Sequence, residues 1–513
     1  MISSNVINLL FATSAWLTSP NAAELCLLPD STEQVSYAET FVSKSDGHWT
    51  SYAGSDDCYR WGARAASVYR VDSRWVLDGK VEYSNFTGRH MSGSAWINPE
   101  ERPFDIVEPT TENAGTKNLE IYRLAGGVGA EFGRLAVGAR VDLVSANYAK
   151  QKDLRHQNKL MDLTATAGAL WRIDYRWSLG ADFFYRRTIE ELTFSTAGTT
   201  DRRYLSFIDY GAAFGVTEYS SSYGITDENA ARPWVEDRYG LDLQLNVQGQ
   251  TGLNWYNDLH FDAGSGYFGR WSLFTPVYME HTGISWSYRS CLGIGRHQVD
   301  FEVDGSHIVN RQNLFQYTTN ASGLNEYSYY GDLETSRRNN FNMMLSYRYS
   351  WNSWLFNATF GHNNRDLTAS YYPFYRTQDL HYSTIDLAVK RHWRLAAHDW
   401  SMTLVSGFSK GDGNRADDCT YDGFSTSLAE STSGRIVSTN LYTSADLLKQ
   451  QTDYLVSPQA NFGFSAEYGH QLKKAPIRLY LILNAQWQKA FDTTYHWDDT
   501  YRQQLGLKIG CSF

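Results

Sequence analysis

YGLDLQLNV, residues 239–247, is a stretch in which apolar and polar positions alternate without a break. Successive side chains of an extended strand point to opposite faces, so one face here carries only tyrosine, leucine and valine. The other face carries Asp242, Gln244 and Asn246 besides a glycine. A bilayer-crossing strand needs about 9–11 residues, whereas strands of soluble proteins average about 5–6. The stretch therefore predicts a membrane-spanning strand with a lipid face and a lumen face.

The same alternation recurs along most of the chain and predicts a series of long strands. They fall at 59–71, 74–88, 118–132, 134–148, 157–171, 176–192, 237–248, 252–263, 280–293, 297–311, 338–350, 353–366, 380–393, 398–410, 456–471, 477–491 and 501–513. Residues 35–41 alternate as well and can pair with the C-terminal strand. The total is about 18 strands, with 16 as the alternative, because closed bacterial barrels normally have an even number.

The connections between these strands alternate in length. Every other connection is a short turn, and the intervening ones are mostly long and polar, at roughly 89–117, 193–236, 312–337, 367–379 and 411–455. Outer-membrane barrels have this layout, with short periplasmic turns and long extracellular loops. We therefore predict an all-β fold, a transmembrane antiparallel up-and-down β-barrel of about 18 strands.

Aromatic side chains gather beside the short turns. The chain has 35 Tyr and 17 Trp, and GALWRIDYRWSLGADFFY at 168–185 places three of them around one turn. Tyrosine and tryptophan prefer the interface between lipid and water, where they form girdles around a barrel. We predict membrane-interface positions for Trp171, Tyr175, Trp177, Trp351, Trp354, Trp393 and Trp400.

Charge and composition exclude several classes of protein. The formal net charge is -10, which argues against nucleic acid as a partner because phosphate binding requires basic patches. Beyond the first ~20 residues no apolar run approaches the ~18 residues of a spanning helix, which excludes a helical membrane protein. Residues 1–23 resemble a possible signal peptide, although no Lys or Arg precedes their apolar part. Residues 24–513 then form a single barrel domain.

The last ten residues, QLGLKIGCSF at 504–513, alternate again and end on an aromatic residue. This stretch resembles the C-terminal strand by which the bacterial barrel-assembly machinery recognises its substrates, with Gly506, Ile509 and Phe513 as the assembly signal. The whole chain also resembles Bacteroidota outer-membrane barrels of unknown function found among nutrient-uptake proteins. The resemblance implies a multi-pass outer-membrane location, contact with outer-membrane lipid and possible uptake partner proteins. It carries no site residues.

A barrel of this size has a lumen wide enough for water, so we expect a porin-like channel for small polar solutes or an accessory barrel of nutrient uptake. An energy-coupled receptor of the TonB-dependent kind would need a plug domain ahead of the first strand, where we find fewer than about 40 residues. The alternative is a structural or receptor barrel that is plugged by its own loops and binds a partner or glycan. Tyrosine-rich loops favour this alternative, since tyrosine anchors interfaces: Tyr327, Tyr329, Tyr330, Tyr371, Tyr372 and Tyr375.

A membrane-embedded hydrolase is a second alternative, and the sequence offers little for it. Gly264-Ser265-Gly266 lacks the frame of a nucleophile elbow, and His260 between Asp258 and Asp262 is interpreted as a lumen-lining residue. The stretch 412–417 starts like a calcium loop and then departs from the pattern. The five cysteines show no metal-binding spacing. We expect no enzyme activity, no cofactor and no metal.

The polar faces of the strands predict two charged walls inside the lumen. The acidic wall comprises Asp242, Asp258, Asp262, Asp300, Glu302 and Asp304, and the basic wall comprises Arg64, Lys80 and Arg140. If the barrel closes as counted, the two sets stand on different sides of the lumen. Separated charges along a confined aqueous path orient dipolar solutes and select ions because they are poorly screened.

Overall fold

The structure is a computed structural model that describes residues 19–28, 33–198, 201–220, 224–228, 230–249, 252–270, 275–421, 440–472 and 475–513. Its strands in chain order are β1 (Gln34–Asp46), β2 (Asp57–Arg70), β3 (Trp75–Met91), β4 (Gly93–Ser94), β5 (Asp105–Glu108), β6 (Gly115–Phe132), β7 (Leu135–Lys150), β8 (Arg155–Arg172), β9 (Trp177–Ser195), β10 (Leu205–Gly211), β11 (Phe214–Tyr219), β12 (Arg232–Gln248), β13 (Leu253–Gly269), β14 (Val277–Ile294), β15 (His297–Thr319), β16 (Asn325–Trp351), β17 (Trp354–Tyr371), β18 (Phe374–Leu395), β19 (His398–Thr420), β20 (Leu441–Thr443), β21 (Gln459–Gln471), β22 (Arg478–Ala490) and β23 (Tyr501–Ser512). The helices are two 3₁₀ turns, Ala22–Leu27 and Pro99–Glu101, and one α-helix, α1 (Ala445–Val456).

Eighteen of these strands form one closed antiparallel barrel. Every strand except β4, β5, β10, β11 and β20 belongs to it. Closure depends on β1, which pairs with β2 on one side and with the C-terminal β23 on the other, where Tyr37 lies opposite Ser512 and Phe41 opposite Lys508. The predicted fold class, the count of 18 and the role of residues 35–41 are therefore confirmed.

The alternation assigns the two faces of the wall correctly. On β12, Leu241 and Leu243 are exposed on the outside, whereas Asp242 and Gln244 are each only 2% exposed and point inward. Exposed Val141, Leu404 and Leu483 continue the apolar outer surface around the barrel. This arrangement of apolar outer and polar inner side chains is that of an outer-membrane barrel. Within the described parts of the chain, no helix has the length and apolar character needed to cross a bilayer.

The prediction of long loops at 312–337 and 367–379 is wrong, because the strands continue through most of these residues. β15 and β16 run on together and are joined only by the turn at 320–324, and β17 and β18 are joined at Tyr372-Pro373. Rings of Phe315, Tyr327 and Tyr329 pack on one another along the first of these hairpins. Beyond the bilayer a strand pair needs no apolar face, so the period-two pattern fades there while the backbone ladder persists.

The other three long connections fold into structure of their own. β4 and β5 come from the first, β10 and β11 from the second, and β20 followed by α1 from the third. The five strands form one small antiparallel sheet in the order β20-β11-β10-β5-β4, which we call the loop sheet. Ser444 caps α1, because its Oγ accepts a hydrogen bond from the Leu447 amide at 3.2 Å.

Candidate functional site: a lumen closed by loops

The loop sheet fills the end of the lumen opposite the short turns. Apolar side chains of the loops pack with inward-facing residues of the barrel wall in one buried cluster. It comprises Ala95, Trp96, Phe104, Ile106, Tyr204, Ile208, Tyr210 and Phe214 from the long loops, Leu154 from the β7–β8 connection, and Leu192, Phe194, Trp234, Phe268, Met279, Ala369 and Phe374 from the wall. The Trp96 ring lies 5.6 Å from that of Phe268 and 6.0 Å from that of Phe104. Close-packed apolar contacts exclude water, so the loops form a folded stopper inside the barrel.

A buried polar latch ties the first loop to the wall. The carboxylate of Glu190 on β9 accepts hydrogen bonds from Arg102 at 2.6 Å, from Asn158 at 2.6 Å and from the Ile97 amide at 3.1 Å. The side chains of Arg102 and Glu190 are 3% and 0% exposed. The Arg102 guanidinium also lies 3.8 Å from the ring centre of Trp234. Buried charges are stabilised by pairing, and here the Glu190 carboxylate and the Arg102 guanidinium pair with each other.

The third loop attaches to the opposite side of the barrel through α1. The buried carboxylate of Asp453 accepts from Arg415 at 2.8 Å and from the amides of Thr494 and Tyr495 at 2.6 and 2.7 Å. The helix also packs its Tyr454 ring 5.6 Å from the ring of Trp49. Because the loops hold both sides of the barrel, the stopper spans the lumen.

Residues 19–28, which we call the N-terminal segment, lie inside the lumen near the short-turn end. Glycines of the wall make room for them: a Cβ at Gly138 would lie 2.2 Å from the Ala23 nitrogen, and one at Gly168 would lie 2.3 Å from Asn21 Oδ1. The Asn21 amide donates to Gln244 Oε1 at 3.0 Å. The segment narrows the lumen at the end where the short turns lie. Residues 1–18, most of the predicted signal peptide, lie outside the described residues, and the boundary at residue 23 stays a prediction.

Glu24 and Asp105 are two of the buried carboxyl groups in these inserted segments. Burial raises the pKa of Glu24 to about 7, and its Oε2 accepts a hydrogen bond from the Tyr256 hydroxyl at 2.9 Å. Burial likewise raises the pKa of Asp105 in β5 to about 7, although hydrogen bonds from Ser94 and Tyr52, each 2.7 Å, favour its charged form. Both groups therefore change charge near neutral pH.

The structure brings three residues of the predicted acidic wall together. Ring nitrogens of His260 lie 2.5 Å from Asp242 and 2.8 Å from Asp262. Asp258 lies opposite Gln244 on the neighbouring strand and accepts a hydrogen bond from its amide at 3.3 Å. Gln244 also donates to Asp182 at 2.8 Å, a luminal carboxylate that the sequence analysis did not single out.

The other three acidic residues lie on β15, which is two strands from β13 and three from β12. Asp300 accepts from Gln298 at 3.0 Å and lies 4.0 Å from Arg348. Asp304 accepts from Asn342 at 2.7 Å, and Glu302 stands opposite Arg289 in the ladder, as Asp258 does. The set therefore lines a continuous part of the wall from β12 to β15.

The predicted basic residues lie on β2, β3 and β7, each beside a carboxylate. Arg64 lies 2.6 Å from Glu39 and Lys80 lies 3.6 Å from Glu82. Arg140 contacts Asp78 at 2.6 Å and Asp142 at 2.8 Å. The two sets do stand on different groups of strands, but these ion pairs offset much of the basic charge. A separated field across the lumen stays a prediction.

The predicted interface aromatics all lie at the rim of the short turns. Trp171, Tyr175, Trp177, Trp351 and Trp400 are exposed there, whereas Trp354 and Trp393 are half-buried around the Arg391 guanidinium, 4.9 and 5.7 Å from their ring centres. Of the predicted assembly signal, Ile509 and Phe513 are exposed on β23 and its end, and Gly506 shares the ladder with Ser43 and Asn484. Contact with headgroups and recognition during assembly stay predictions.

The motifs weighed for catalysis or metal binding lie within strands. Gly264-Ser265-Gly266 belongs to β13 and residues 412–417 belong to β19. Among the residues that the structure describes, no group of three or more His, Cys, Asp or Glu side chains is placed to hold a metal ion.

The family described as "Family of unknown function (DUF6850)" matches residues 26–513. The chain belongs to this family. No curated protein matches the sequence.

Several solved structures are similar to this chain over most of its length. The ferric preacinetobactin receptor BauA of Acinetobacter baumannii is 7% identical, with 94% of this chain and 81% of that one covered and a TM-score of 0.41. The toluene transporter TodX of Pseudomonas putida is 10% identical, with coverages of 97% and 92% and a TM-score of 0.30. The outer membrane transporter YddB of Escherichia coli is 6% identical, with coverages of 93% and 80% and a TM-score of 0.40. Nothing about the ligand of this DUF6850 member follows from similarities of that size.

Sequence reasoning missed the residues that close the lumen, above all Glu190, Arg102 and Asn21. One sequence feature did indicate this packing. In the run Gly126-Gly127-Val128-Gly129 of β6, Gly127 and Gly129 occupy inward-facing positions, where a water-filled lumen favours polar side chains. Gly129 leaves room for the N-terminal segment, since a Cβ there would lie 2.6 Å from the Ala22 carbonyl oxygen. Small residues on a polar phase indicate that another part of the chain packs against them.

Proposed function

We propose that this protein is an outer-membrane barrel that is closed to free diffusion at rest and serves nutrient uptake as an accessory or ligand-receiving barrel. The observation that carries the proposal is the loop sheet, which packs an apolar core and a buried ion pair inside the lumen. An open diffusion channel would need a continuous aqueous path. No catalytic step is assigned, and outer-membrane lipid, the barrel-assembly machinery and uptake partner proteins remain its proposed partners.

The outer surface supports a receiving role. The extended hairpins β15–β16 and β17–β18 present Tyr330 and Tyr372 with 69% and 57% of their surface exposed. Exposed tyrosines combine apolar area with a hydroxyl group and are frequent in sites for sugars and proteins. A ligand or partner protein that docks on these hairpins would lie directly above the stopper.

Gated passage of small polar solutes is the second candidate function. It is favoured by the charged lower lumen, where the acidic and basic sets lie on separate groups of strands below the loop sheet. For passage, the loops would have to move aside, which requires that the latch at Glu190 be released. The two candidates differ in whether the stopper ever opens.

Single-channel conductance in a planar bilayer tests the proposal. We expect no steps from the purified wild-type protein, with folding verified by circular dichroism, and discrete steps from a variant in which residues 95–113 are replaced by a short glycine-serine linker. The same linker in place of the exposed turn 320–324 is the matched control and should stay silent. Discrete open steps from the wild type would contradict closure and favour a porin-like channel.

A further inference from the structure

Two arginines occupy adjacent positions on the luminal face of neighbouring strands. In the ladder between β16 and β17, Arg338 stands opposite Leu367 and Arg365 stands opposite Asn340, so the two arginines are diagonal neighbours on one face. Leu367 is buried against the loop sheet, since a Cβ at Gly211 would lie 2.5 Å from its side chain. The arginine pair therefore faces the stopper and not the lipid.

This pair has too little negative charge around it. Arg338 is only 8% exposed, its Nε atom is buried without a partner, and its guanidinium makes no ion pair with any described residue. Arg365 also has a buried Nε without a partner and has one carboxylate, Glu100, at 3.5 Å. The Glu100 side chain is 70% exposed, so water weakens that contact.

A buried guanidinium group without a counter-ion, as at Arg338, is costly. Asp209 interacts electrostatically with the partly buried Arg365, but it is shared with other donors. The Asp209 carboxylate is already bound by the Gly211 amide at 2.8 Å and by Gln451 at 3.3 Å. Each guanidinium has five N–H donors in a planar fork that matches the two oxygens of a carboxylate or phosphate. Neighbouring forks with unused donors are the chemistry of an oxyanion site.

We propose that Arg338 and Arg365 bind the carboxylate or phosphate group of a small anionic solute, and that Glu100 occupies this site when no solute is bound. Glu100 sits on the 3₁₀ turn Pro99–Glu101 of the first inward loop, close to the latch residue Arg102. An arriving anion displaces the Glu100 carboxylate and so acts on the loop that closes the lumen. This site gives the proposed function a ligand class, and it depends on that function only because the solute must reach the lumen.

Binding to the full-length protein in detergent tests this site separately from conductance. Isothermal titration calorimetry with phosphate and with succinate, at constant ionic strength set by chloride, should show saturable binding to the wild type. E100Q should bind several-fold more tightly because the internal competitor is gone. R338Q/R365Q should bind about tenfold more weakly or not at all, as expected for the loss of charge-assisted hydrogen bonds.

R186Q is the matched control, because Arg186 is a wall arginine already held by both oxygens of Asp162 at 2.9 and 2.7 Å. It should keep wild-type anion affinity. Equal affinity in wild type, E100Q and R338Q/R365Q would overturn the site, as would no binding by wild type and E100Q alike. E100Q changes an exposed residue, so the test stands even if the double variant does not fold. An open wild-type channel that still binds anions through this pair would overturn the closed state and leave the site standing.

Discussion

At the scale of single residues, the closed lumen depends on a few buried polar groups and on glycines that leave space. Glu190 is served by three donors from two different parts of the chain, and Gly138 and Gly168 allow the N-terminal segment to lie against the wall. Substitutions at such positions should be strongly destabilising. Replacing a buried charged residue leaves its partner unpaired, and replacing one of these glycines brings a new Cβ into overlap with a neighbouring atom.

Glu190→Ala should destabilise the packed state of the first loop by about 3–5 kcal/mol, since it leaves the Arg102 guanidinium buried without its carboxylate. Hydrogen exchange of residues 93–108 measures this opening directly. Glu112→Ala removes a 76% exposed carboxylate and should change exchange by less than about 0.5 kcal/mol. Unchanged exchange in the Glu190 variant would show that the apolar core alone holds the loop.

Gly138→Ala should dislodge the N-terminal segment, because the new Cβ would lie 2.2 Å from the Ala23 nitrogen. Cys26, now 3% exposed, then becomes accessible, and maleimide labelling of the native protein should speed up. The assay uses a background in which the other four cysteines are serine. Gly126→Ala is the control, since its nearest atom would be 3.9 Å away. Equal labelling rates in both variants would contradict the packing of the N-terminal segment against Gly138.

At the scale of elements, long amphipathic strands form the wall while short, locally weak strands form the stopper. β4, β5 and β20 have two to four residues each and no independent stability. They are stable because the barrel surrounds them, so conditions that act on their few buried groups should act on the stopper before the wall.

The loop sheet should loosen as pH rises. Burial raises the pKa of Asp105 from 3.8 to about 7, so the folded loop binds more protons than the opened loop between these values. The contribution of Asp105 to the free energy of opening is therefore highest below about pH 4, falls as pH rises toward 7, and is constant above it. Hydrogen exchange of residues 93–108, corrected for intrinsic rates, should show more opening at pH 8 than at pH 5.

Asp105→Asn keeps the shape of the side chain and removes the charge. It should remove the part of this pH dependence that comes from Asp105. Glu218 in β11, whose pKa burial raises to about 7, and Asp209 in β10, whose pKa burial also raises, contribute in the same direction. Protection that rises with pH in the wild type, or a pH response equally strong in Asp105→Asn, would show that other groups control the loops.

At the scale of the whole molecule, an 18-stranded wall creates a lumen and the connections between strands then occupy it. The two charged sets line the part of the lumen between the loop sheet and the short turns. In the variant that lacks residues 95–113, the triple change Asp242→Asn, Asp258→Asn and Asp300→Asn should lower cation preference, read as the reversal potential in a salt gradient. An unchanged reversal potential would remove the acidic wall as a selectivity element.

Most of the wall could be predicted from the sequence, because lipid outside and water inside require a period of two over every crossing strand. This one-dimensional constraint located all 18 strands and the pairing of residues 35–41 with the C-terminal strand. It failed at 312–337 and 367–379, where the hairpins leave the bilayer and the constraint no longer applies.

The closure of the lumen depends on contacts between residues far apart in the chain, which no local pattern encodes. Asn21 meets Gln244 across 223 positions, and Glu100 meets Arg365 across 265. The sequence of a polar loop does not distinguish a loop that extends into water from one that folds back into the barrel, since the backbone groups find hydrogen-bond partners in either place. Periodicity imposed by the membrane therefore specified the barrel, whereas the fit of loop side chains against the inner wall specified where the loops pack inside it.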